Sequence, residues 1–152
     1  NNPTGQLIDR EVLEQVADYC QKTDTCLLLD ECFHDFLEEG SVHTLLPQVK
    51  ENPKLFVLRA FTKMYGMAGL RLGYGICSDT ELIRRMEQVT QPWNVSVPAQ
   101  AAGIAAAREQ EFVAVSRQMI TEQKKLLLAG LEAAGAKVYG SAANYIFFRA
   151  AP

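Results

Sequence analysis

A continuous apolar run, Thr25-Cys26-Leu27-Leu28-Leu29, closes on an acid, Asp30. A run of that length without polar alternation predicts a strand buried in a parallel sheet. The segment before it predicts a helix. Between 9 and 22, Val12, Leu13, Val16, Ala17 and Cys20 recur at helical spacing, with Asp9 placed to cap the N-terminus. A helix feeding a buried strand is the pattern of an α/β domain. It leaves Asp30 at the carboxyl end of the strand, where open α/β sheets gather ligands.

The rest of the chain extends that pattern and then breaks it. Leu55 to Leu58 and Tyr74 to Cys77 predict two further strands, joined by a connection that carries Lys63, Gly66, Gly69, Arg71 and Gly73. Two strand ends thus deliver Asp30 and Lys63 to the region where a site is expected. A helix is predicted over 79–89 and stops before Pro92. Pro98 opens a helix of small residues reaching Arg108. A long helix is predicted over 111–134, with Phe112, Val115, Met119, Leu126, Leu127 and Leu131 on one face and Gly135 as its stop. Beyond it, 136–139 and 145–148 predict two strands around a turn at Gly140, an α+β unit.

Composition narrows the function classes. With 48% apolar and 22% charged residues in a chain of 152, one sizeable core is expected. A net charge of −3 without long single-sign runs offers no platform for a nucleic-acid backbone. The four cysteines, Cys20, Cys26, Cys32 and Cys77, contain no C-x-x-C pair. They predict reduced structural thiols and no metal site. No apolar run is long enough to cross a bilayer, and a cytoplasmic location is expected. The opening cluster Asn1-Asn2-Pro3-Thr4-Gly5 is turn-forming and has no initiator Met, so a piece of a longer protein is expected.

Four blocks occur in order: Asn2-Pro3-Thr4-Gly5, Asp30-Glu31-Cys32-Phe33, Thr62-Lys63, and Gly69-Leu70-Arg71-Leu72-Gly73-Tyr74. Their order and separation resemble the signature blocks of class I/II aminotransferases, enzymes dependent on pyridoxal 5'-phosphate (PLP). Pro92-Trp93-Asn94-Val95 and Ala143-Asn144-Tyr145-Ile146 are similar to further blocks of the family, so the resemblance covers essentially the whole chain. It implies part of the mixed, mostly parallel sheet of a PLP-dependent transferase large domain, over 1–110. A bridging helix and the start of an α+β small domain would follow over 111–152.

By the same resemblance, Lys63 would bind the cofactor covalently and shuttle a proton at the substrate Cα. Asp30 would pair with the protonated pyridine nitrogen, and Asn2 would donate to the ring oxygen. Arg71, through its fork of donors, and the Thr62 hydroxyl would hold the phosphate. The sequence departs from the family pattern twice. Ala60 stands where a hydroxyl residue is common, which puts one phosphate contact in doubt. Phe33 stands where many members have a tyrosine bonding the ring oxygen; it would act by packing beside the cofactor or by changing the basicity of the lysine linkage.

Within the family, the blocks resemble the threonine-phosphate decarboxylase branch of cobalamin biosynthesis. Histidinol-phosphate aminotransferases or other class I/II aminotransferases are the alternative, and a non-catalytic scaffold or interaction fragment is a reading of another class. The implied substrate is a small amino acid or amino phosphate, and the implied assembly of the full-length protein is a homodimer. The family's upstream phosphate loop and stacking aromatic would precede Asn1, so this chain alone is expected to bind PLP weakly and turn over little.

Overall fold

The computed structural model describes residues 1–37, 40–140 and 142–150. Asp9 caps helix α1, Arg10–Lys22, its carboxylate accepting from the N–H groups of Glu11 and Val12; such a side chain satisfies donors that the first helical turn leaves unpaired. Strand β1, Leu27–Asp30, follows. A 3₁₀ turn at His34–Phe36, the short helix α2, Gly40–His43, and a second 3₁₀ turn at Leu46–Lys50 lead to β2, Leu55–Ala60. The glycine-punctuated connection then returns the chain to β3, Gly73–Ile76.

β2 is central in the three-stranded sheet, parallel to β1 and antiparallel to β3. The sheet is therefore mixed. Gly75 is required in β3 because a Cβ there would lie 2.3 Å from the Phe56 ring on the adjacent strand.

One face of the sheet carries the core. Ala17 of α1, Leu45, Val49, Leu55 and Val57 form a buried cluster, with Leu13, Leu27, Leu29 and Ile76 packed against it. The expectation of a strand buried throughout needs correction for β1. Leu27 and Leu29 face α1, but Leu28 points to the other side and is 61% exposed. Alternate residues of a strand leave opposite faces, and α1 covers only one.

Helices α3, Thr80–Val89, and α4, Val97–Ala106, follow, capped by Asp79 and Ser96. Helix α5 spans Gln110–Ala133, and Gly135 follows its cap at φ 77°, a conformation natural to glycine. The expected apolar face of α5 is present but largely open. Val113 is buried against Phe36 and Met64, while Met119 and Leu126 are exposed. Strands β4, Lys137–Gly140, and β5, Phe147–Arg149, pair antiparallel. No helix of the described residues is long and apolar enough to cross a membrane.

Candidate active site

Three chain segments meet at the carboxyl end of β1. The N-terminal turn, where Gly5 N–H donates to the Asn1 carbonyl, is held by the segment after β4. The Tyr145 hydroxyl donates to the Asn1 carbonyl at 2.9 Å, and Ala142 N–H to the Gly5 carbonyl at 2.7 Å. Gly140 allows this approach, since a Cβ there would lie 2.4 Å from the Thr4 carbonyl oxygen. The resulting cleft of about 390 Å³ is lined by Asn2, Asp30, Phe33, His43, Ala143 and Tyr145, among others. Its size suits a small-molecule site.

Asp30 ends β1 with its carboxylate exposed; one oxygen accepts from the Cys32 N–H at 2.9 Å. Burial and the neighbouring Asp30 carboxylate push the Cys32 thiol up to about 12, so it stays protonated beside that acid. Phe33 stands edge-on to Tyr145, ring centroids 5.4 Å apart. The Lys63 amine lies 5.4 Å from the centroid of the Phe33 ring, in the range of a cation–π contact. The structure therefore brings Asn2, Asp30 and Phe33 to one cleft and the Lys63 amine over the Phe33 ring.

Thr62, Lys63 and Arg71 are not among the residues lining that cleft. All three belong to the connection between β2 and β3. Arg71 sits at φ 55°, and its guanidinium donates to the Ala68 carbonyl at 3.2 Å. The connection is anchored by packing. Met64, next to Lys63, is 5% exposed and packs with Phe36 and Val113. The Phe61 ring lies 5.1 Å from Tyr65 and 5.7 Å from Tyr74. Burial raises the hydroxyl pKa values of both tyrosines above the usual range.

Sequence reasoning missed the polar cluster behind this wall. Glu31 is 7% exposed. The Thr44 hydroxyl lies 2.8 and 3.0 Å from its two carboxylate oxygens, Leu45 N–H donates at 3.1 Å, and Arg59 donates at 2.6 Å. Arg59 also reaches Asp35 at 3.2 Å. Sequence adjacency of Asp30 and Glu31 at a strand end was the available signal: neighbouring residues leave opposite faces, and an acid on the core side needs hydrogen-bond donors or a cation. His43 was missed as well; its Nδ1 is buried without a hydrogen-bond partner. No group of three or more His, Cys, Asp or Glu among the described residues could hold a metal ion.

A model of the aminotransferase class I and II family matches residues 1–151. The chain is 37% identical over 150 residues to the histidinol-phosphate aminotransferase of Oleidesulfovibrio alaskensis, covering 97% of this chain and 38% of that protein. It is 35% identical over 150 residues to the threonine-phosphate decarboxylase of Salmonella typhimurium, covering 98% and 41%. Among solved structures, the histidinol-phosphate aminotransferase of Clostridium acetobutylicum matches with a TM-score of 0.91 at 28% identity, over 99% of this chain and 45% of that one. That of Sinorhizobium meliloti, in complex with pyridoxal-5'-phosphate, matches with a TM-score of 0.85 at 22% identity, over 99% and 40%, a likeness of fold alone. The chain spans about two-fifths of the length of the two relatives. The match across 1–151 is decisive: the chain belongs to the class I and II aminotransferase family.

Proposed function

We propose that this chain carries the cofactor-binding wall of a PLP-dependent enzyme acting on a small, phosphorylated amino substrate. The observation that carries the proposal is the meeting of Asn2, Asp30 and Phe33 at one cleft with the Lys63 amine against Phe33. The donor set fits the cofactor. It supplies an acid with an oxygen to spare, an amide at the opposite turn and a primary amine, which are the groups needed for a pyridine nitrogen, a ring oxygen and an aldehyde carbon. Bound there, PLP would supply an electron sink for the bond broken at the substrate Cα.

The chain's own residues would do the rest. The Asp30 carboxylate would keep a proton on the ring nitrogen by charge pairing. The Asn2 amide would orient the ring through its oxygen. The Lys63 amine would hold the cofactor in the resting enzyme and carry a proton to or from Cα once substrate has displaced it. Thr62 and Arg71 would take the phosphate, the arginine with two parallel donors. Phe33, with no hydroxyl, would pack beside the cofactor or change the basicity of the lysine linkage.

Our first reading of the reaction is decarboxylation of threonine phosphate, as in cobalamin precursor synthesis, and its support is Phe33 at the position where histidinol-phosphate aminotransferases usually carry tyrosine. Transamination of histidinol phosphate is the second reading, favoured by the 37% identical relative. The large-domain assignment of 1–110, the small-domain assignment of 111–152, homodimeric assembly and a cytosolic location belong to the same proposal. The test uses protein expressed from the complete open reading frame. Release of carbon dioxide from threonine phosphate without an oxo-acid acceptor supports decarboxylation. Turnover of histidinol phosphate only with an acceptor selects transamination, and a colourless protein inert to both refutes the proposal.

A further inference from the structure

We infer that Arg59 is a positioning residue for this site, clamping the carboxyl end of β1 to that of β2 so that Asp30 and Lys63 keep a fixed separation. The inference rests on the roles just proposed for those two residues.

Strand alternation puts Asp30 and Glu31 on opposite faces. Both residues line the cleft, Asp30 exposed and Glu31 buried. Across the ladder, Asp30 pairs with Leu58, and Glu31 N–H donates to the Leu58 carbonyl at 3.0 Å, which brings Glu31 beside Arg59. The guanidinium reaches Glu31 at 2.6 Å, the Thr44 hydroxyl at 3.2 Å and Asp35 at 3.2 Å. The Arg59 and Glu31 side chains are only 12% and 6% exposed.

A buried carboxylate that loses a donor has no water to replace it, so this network has one good arrangement. Arg59 lies four residues before Lys63, and Glu31 directly follows Asp30. The ion pair therefore adds a side-chain tie, beside the Glu31–Leu58 backbone bond, between the residue next to the acid and the strand that leads to the amine. The same loop is tied to α5, since Arg117 Nε donates to the Asp35 carbonyl at 3.0 Å. Cohesion alone does not require this charge: Leu45, Leu55 and Val57 already hold the strands from beneath, and apolar residues often replace buried ion pairs without loss of stability. The fork adds direction, fixing two carboxylates on the segment that bears Asp30.

The test compares Arg59→Lys with the wild type, both expressed from the complete open reading frame and loaded with PLP. Lysine keeps the charge facing Glu31 but cannot bridge Glu31 and Asp35. The variant is expected to fold and to keep its substrate KM. Its kcat should fall about a hundredfold, as for misplacement on the ångström scale, and the visible circular dichroism of its bound cofactor should change. Arg59→Met should deepen both losses; if it does not fold, Arg59→Lys decides alone. A folded Arg59→Lys enzyme with wild-type kcat and visible dichroism overturns the inference. If the wild-type protein takes up no PLP, the functional reading fails separately, and the clamp is read by hydrogen exchange at the Cys32 N–H, which donates to Asp30. Exchange faster by about tenfold or more in Arg59→Lys supports it, and unchanged exchange overturns it.

Discussion

The two segments that bear Asp30 and Lys63 are held by different forces. The acid side, the end of β1 at Asp30 and the following Glu31, is fixed by directional bonds: an ion pair, a hydroxyl and a backbone amide converge on one buried carboxylate. The amine side, the connection with Lys63, is fixed by apolar and aromatic packing around Met64, Phe61 and Tyr65, while the lysine itself is exposed. Directional bonds hold a group in one place. Packing anchors a backbone and leaves a long side chain free to swing. The proposed roles, an acid kept aligned with a ring and an amine that leaves and returns, would use that division.

Lys63→Ala should break the comparison most visibly. In protein from the complete open reading frame, turnover should fall by about 10⁴-fold or more, and the yellow colour of the cofactor linkage should vanish. The urea midpoint should stay where it was, because an exposed side chain is lost. Glu31→Ala should show the reverse emphasis. Removing one partner of a buried pair leaves Arg59 uncompensated and costs about 3–5 kcal/mol, read as a lower urea midpoint before any activity is measured.

These two opposite outcomes also mark what was legible in the sequence. Local signals were enough for the cap at Asp9, the stop at Gly135 and the strand run ending on Asp30, because each depends on neighbouring residues. The blocks singled out Asn2, Asp30 and Phe33, which the fold does bring to one cleft. The network of Glu31, Asp35, Thr44 and Arg59 was invisible because its members are brought together by the β1–β2 register, and no periodicity reports a register. The exposure of Leu28 and of much of α5 was likewise hidden: an apolar run specifies a surface to be covered, but not what covers it.

Arg71→Gly should sharpen the contrast with a small net effect on stability. Arg71 sits in the left-handed region at φ 55°. Glycine would relieve about 1–2 kcal/mol of backbone strain and lose about 0.5–1 kcal/mol to chain entropy. The urea midpoint should hold or rise slightly while PLP affinity falls, as read by equilibrium dialysis.

The smallest effect concerns Cys32. Its thiol is raised from 9.0 to about 12, chiefly by burial and then by Asp30. The folded state thus keeps a proton that the unfolded chain releases above its ordinary thiol range. Below pH 9 the group has no influence on the folding equilibrium; as pH climbs towards 12, stability is lost. Cys32→Ala should flatten that alkaline slope in denaturation curves. At neutral pH, iodoacetamide should modify the exposed Cys26 well before Cys32.

Borohydride reduction of the PLP-treated protein from the complete open reading frame, followed by peptide mapping, tests the central assignment most directly. A single phosphopyridoxyl group on Lys63 is expected. Label spread over surface lysines such as Lys22 and Lys50, with Lys63 unmodified, would contradict it.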